Sequence, residues 1–138
     1  MRVRLIASDR FQVVGVMEGD ECPTETFLYQ GEASTMASRS GLHEMLQYVA
    51  SNGLQGVPHG WFWLADRKLE IYEFRKGPLR LFFFKGNGDE IAVCTDGVRK
   101  SGQRADKQAV NKAAKWRSEY LNAQRNNTYE VVDDEAEQ

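Results

Sequence analysis

Residues 72–102 read YEFRKGPLRLFFFKGNGDEIAVCTDGVRKSG, and this stretch decides the fold. Together with the residues just before it, it holds three apolar runs, KLEIYEFR, LRLFFFK and DEIAVCTDG, separated by KGP and KGNG. Glycine supplies positive φ and proline a fixed φ, the two things tight turns need. The pattern predicts an antiparallel meander of three strands. A purely structural meander has no use for the six basic residues that the stretch also carries.

Their placement is specific. Arg75 and Arg80 flank the first turn; if KGPL is a four-residue loop, they stand opposite each other on one face. Alternation puts Ile71 and Glu73 on that face with Arg75, and Phe82 and Phe84 with Arg80. Two facing like charges destabilise a hairpin unless an anion sits between them. The strand ending at Asp96 runs back toward the same end, and the following GVRKSGQR brings Arg99, Lys100 and Arg104 there. Such a corner suits a phosphate.

Outward from this core, VRLIAS and FQVVGVMEG are rich in β-branched residues and predict an N-terminal hairpin. GDECPTETF reads as a loop. Residues 34–52 predict a helix: Leu42, Met45, Leu46 and Val49 fall at helical spacing, Ser34 is a candidate cap and Gly53 a stop. Gly41 weakens its middle. Trp61, Phe62 and Trp63 are expected to be buried against the core edge. Downstream, residues 105–124 predict a second helix with Ala109, Ala113, Trp116 and Tyr120 on one stripe. Residues 126–138 are expected to be an acidic, disordered tail. The expectation is one domain over residues 1–125, of α/β type in the α+β sense: an antiparallel sheet packed against helices, with a C-terminal helix.

The chain has 138 residues, 41% of them hydrophobic, enough for one real core. No run approaches eighteen apolar residues and MRVRLIASDRF has no signal-peptide core, so a soluble cytoplasmic protein without membrane partners is expected. Cys22 and Cys94 are not expected to pair, and Cys94 reads as a small buried hydrophobe. Two cysteines and two distant histidines build no convincing zinc site, so neither metal nor cofactor is expected. The net charge of −2 hides a pattern: residues 1–66 balance at −4, residues 67–125 at +7 and residues 126–138 at −5. A concentrated positive module suits a polyanion.

RNA carries its own nucleophile, the 2′-hydroxyl. Its cleavage needs a proton acceptor, a donor for the leaving 5′-oxygen, and cations for the extra charge on phosphorus. Arginine and lysine meet the last need. For proton transfer the sequence offers Asp96, Glu119 and Tyr120, with His43 and His59 as further candidates. A lone histidine is more often structural, and core packing is an equal explanation for Tyr120.

The segments YEFRKGPLRLFFF and GNGDEIAVCTDGVRKSGQRADKQAVNKAAKWRSEYLNA resemble the RelE/HigB toxin superfamily, nearest its phage Gp49-like branch. The resemblance covers about residues 38–123 and is clearest over 69–121. It implies a RelE-like fold and a ribosome-dependent mRNA endonuclease, an mRNA interferase of a type II toxin–antitoxin system. The implied partners are mRNA, the ribosome and a cognate antitoxin, of helix-turn-helix type. Arg75, Arg80 and Lys100 match the family's cationic set, and Glu119 and Tyr120 its acidic–Tyr pair. With Asp96 these form the expected catalytic group, and Lys76, Arg99, Arg104 and Lys107 the expected RNA-binding group. Asp96 and Leu121 stand where some members carry histidine, and the first 37 residues depart from the family pattern. Two alternatives accompany this reading: a noncatalytic module binding RNA, ribosome or protein, and a gyrase-targeting toxin.

Overall fold

The computed structural model describes residues 1–100 and 106–132. The expected N-terminal hairpin is present: β1 (Arg2–Ser8) and β2 (Gln12–Val16) pair antiparallel. Val13, Val14 and Val16 of β2 are all fully buried, as suits an interior strand covered on both faces.

The segment after β2, expected to be a loop, contains helix α1 (Pro23–Tyr29). Pro23 sits at the start of the helix, where its missing N–H leaves no bond unmade. A turn at Ala33–Thr35 leads into α2 (Met36–Asn52). Leu42, Met45, Leu46 and Val49 are buried as the spacing predicts, and Gly53, at φ +81°, ends the helix. Gly41 lies beneath the Lys76 side chain, whose Cε a Cβ there would meet at 2.6 Å.

Four strands follow rather than three. Residues Phe62–Asp66 form β3, an edge strand, ahead of β4 (Ile71–Lys76), β5 (Leu79–Phe84) and β6 (Glu90–Arg99). The aromatic run therefore divides: Trp61 and Phe62 pack on the core, whereas Trp63 is 41% exposed, against the expectation of burial. Helix α3 (Lys107–Asn126) is capped by Asp106, whose carboxylate accepts from the Ala109 N–H at 3.0 Å. Beyond it, β7 (Glu130–Val132) pairs parallel with β1. The tail expected to begin at residue 126 thus starts as ordered structure; residues 133–138 lie outside the described residues.

The strand order is β3-β4-β5-β6-β2-β1-β7. The sheet is mixed, not purely antiparallel: β2–β6 and β1–β7 run parallel. The chain leaves β2 through two helices and three strands before β6 returns beside it, and that long return permits the parallel pairing. One face of the sheet, with Phe74, Leu81 and Phe83, packs on α2; the other, with Ile71, Phe82 and Phe84, packs on α3. The α+β class holds. No helix among the described residues is long and apolar enough to cross a membrane. Both cysteines are free, and burial pushes each thiol's pKa up.

Candidate phosphate-binding corner

Arg75 and Arg80 are direct cross-strand partners, on either side of the turn at Gly77 and Pro78. The alternation that puts Ile71, Phe82 and Phe84 against α3 places both arginines on the same face. Gly77 makes the reversal at φ +54°, a conformation that glycine adopts without strain.

The two guanidinium groups are held differently. Arg75 donates from Nε to one oxygen of Glu73 at 2.8 Å, its Nη2 lies 2.7 Å from the same oxygen as an ion pair, and its guanidinium carbon is 4.7 Å from the Trp63 ring centre. Trp63 and Glu73 are themselves cross-strand partners of β3 and β4. Arg80 donates from Nη1 to the carbonyls of Gly77 and Leu79, each at 2.8 Å. Desolvation first, then repulsion from Arg75, lowers the pKa of Arg80, with Glu73 acting the other way. Arginine stays charged all the same.

The start of the basic loop reaches the same end of the sheet. Val98 is the partner of Arg80, and the Lys100 N–H donates to the Pro78 carbonyl at 2.7 Å. Lys100 is exposed there. Arg104 lies outside the described residues, and Lys107 is exposed on the first turn of α3.

Several expected members point to the other face or are engaged by other partners. Lys76 and Arg99 belong to the right end but the opposite face: Lys76 crosses Gly41 of α2, and Arg99 is 3.5 Å from Glu32. A single step along a strand reverses a side chain's face, which is why neighbours of Arg75 and Lys100 part from them. Asp96 lies on β6 with its carboxylate 2.9 Å from Lys112, which also holds Glu18 at 2.7 Å. Hydrogen bonds to Glu18 and then Asp96 raise the Lys112 pKa. Glu119 is exposed on α3, beside a shallow depression it shares with Lys115 and Trp116.

Tyr120 is a correction. It is fully buried at the other end of the sheet, by the β5–β6 connection. Its hydroxyl donates to Glu90 at 2.6 Å and accepts from the Asn87 N–H at 3.0 Å. The arginines sit at the start of β5 and Tyr120 packs on Phe84 at its end. At about 3.3 Å per residue, a strand's length separates them.

Sequence reasoning missed Glu73, Trp63 and Lys112 as partners in these clusters. Glu73 and Arg75 fall two apart on one strand face, a spacing legible in advance. Trp63 needed the unrecognised β3. Of the histidines, His43 packs on Tyr29 away from the corner, while His59 meets Trp63 edge-on with centroids 5.7 Å apart. No protein-family model matches the chain, and no curated protein matches it either.

Proposed function

We propose that this chain is a RelE/HigB-like toxin of a type II toxin–antitoxin system, acting in the cytoplasm as a ribosome-dependent mRNA endonuclease. The observation that carries this reading is the facing pair Arg75 and Arg80 at the end of an antiparallel hairpin. It is the motif position at which the sequence resembles that superfamily. Two guanidinium groups fixed opposite each other form a site for one tetrahedral anion, and the RNA phosphate is such a group.

In the reaction proposed, the 2′-oxygen attacks the adjacent phosphorus and its proton leaves to a base. The P–O5′ bond breaks, the 5′-oxygen takes up a proton, and a 2′,3′-cyclic phosphate remains. Arg75, Arg80 and Lys100 stabilise the charge that develops on the non-bridging oxygens. mRNA and the ribosome are the proposed targets, and an antitoxin of helix-turn-helix type is the proposed inhibitor.

A second reading, a noncatalytic RNA-binding module, draws on a specific observation. Tyr120 and Glu119 stand away from the corner, and Asp96 is paired with Lys112. Binding alone needs only the cations.

Induced expression of the parent and of Arg80→Ala, with growth measured and mRNA 5′ ends mapped, tests both. Arg80→Ala is expected to fold with unchanged or slightly raised stability. Its cleavage rate is expected to fall about a hundred- to a thousandfold, as when one preorganised donor is lost. Full toxicity with an intact cleavage pattern in the variant rejects the site. Growth arrest without cleavage by the parent favours the binding module.

A further inference from the structure

Glu73 is the carboxylate inside the cationic corner, and its side chain is only 4% exposed. Carboxylates are rarely buried unless paired, and this one is paired to a single guanidinium. Arg75 places Nε and Nη2 on the same oxygen, Oε1, at 2.8 and 2.7 Å. The Nε–H bond and the close Nη2 contact to one oxygen fix which side of the fork faces Glu73. The indole of Trp63 adds a second restraint at 4.7 Å. Neither contact uses Nη1 of Arg75. The Asp96 carboxylate is taken up by Lys112, and Glu119 lies on the exposed surface of α3.

Resting on the RNA-cleavage reading, we propose that Glu73 is a positioning residue: with Trp63 it locks Arg75 so that its Nη1 side, together with Arg80, receives the reacting phosphate. A fork ordered before RNA arrives loses less side-chain freedom on binding. Its alignment then serves the charge that grows in the transition state. The same carboxylate also offsets the repulsion between Arg75 and Arg80. Glu73 therefore has two opposed effects. It organises the fork, which favours rate, and it subtracts positive charge, which weakens ground-state attraction for RNA.

Those opposed effects separate positioning from mere structure. Glu73→Gln keeps the side-chain length and removes the charge. RNA should bind it as tightly as the parent or more tightly, while single-turnover cleavage falls on the order of a hundredfold through misplacement of the fork. In an Arg75→Ala background the same change should alter the rate by no more than about twofold, because no fork remains to be placed. Arg75→Lys, which keeps charge and packing but has no fork, should reproduce the loss of rate. An undiminished rate in Glu73→Gln overturns the proposal. So does a full further loss in the Arg75→Ala background, since Glu73 would then act on RNA itself.

A readout without RNA cleavage keeps the two hypotheses apart. In nitrogen-15 spectra the Arg75 Nε–H, assigned by its loss in Arg75→Ala, should exchange slowly in the parent and rapidly in Glu73→Gln. Equal exchange in the two proteins overturns the lock, whatever the activity. A protected Nε–H in a parent that does not cleave RNA upholds the lock and rejects the nuclease.

Discussion

The Tyr120 hydroxyl and the Glu90 carboxylate are joined by a 2.6 Å hydrogen bond, and Tyr129 donates to the same carboxylate at 2.8 Å. This partly buried clasp ties helix α3 and the segment entering β7 to the start of β6. Its position, remote from Arg75 and Arg80, makes the role of Tyr120 architectural. Tyr120→Phe is expected to lower stability by about 1.5–3 kcal/mol, the range for a hydrogen bond to a charged group. RNA binding and cleavage should be unchanged. A folded Tyr120→Phe protein with a large fall in cleavage rate would place the hydroxyl in the chemistry after all.

The same clasp predicts an alkaline limit. Burial, and then the Glu90 carboxylate, holds the phenols of Tyr120 and Tyr129 well above their ordinary value of 10. Above that pH the folded state keeps protons that the unfolded state has lost, so stability declines as pH rises. Below it, this contribution is fully present. Phenolate absorbance should show two of the five tyrosines ionising only as the fold is lost. A complete five-phenol titration with native circular dichroism retained would contradict the clasp.

Where the ordered chain ends is testable by truncation. The Thr128 carbonyl accepts from the N-terminal amine at 2.7 Å, and the Glu130 N–H donates to the Met1 carbonyl at 3.0 Å. A chain ending at Thr128 loses Tyr129 and β7. It should be less stable than a chain ending at Val132 by at least about 2 kcal/mol, the low end for deleting a large packed side chain. Equal denaturation midpoints for the two would make β7 dispensable.

The two faces of the basic end can be told apart by salt. Each phosphate contact to single-stranded RNA releases counterions, so log affinity falls with log salt by about 0.7 per contact. Arg80→Ala should reduce that slope by roughly one contact's worth. Lys76→Ala, on the α2 face, should leave the slope unchanged. Equal reductions in both variants would mean that RNA wraps the sheet end rather than docking on the α3 face.

Local rules settled much of this protein from sequence. Turn chemistry at KGP was enough to set Arg75 opposite Arg80, because a hairpin's register follows from its loop. Helical spacing and Gly53 delimited α2 in the same way. Tertiary structure alone decided three things. Residues 62–66 carry no clean alternation, and pairing with β4 made them a strand, which brought Trp63 to Arg75. The parallel contact of β2 with β6 joins residues some eighty positions apart, and no local pattern encodes that approach. Tyr120 lies on a stripe whose burial is legible, but which end of the sheet it meets depends on how α3 lies across the strands. A sequence records which face of an element is apolar; the partner that covers that face is chosen by packing the whole chain at once.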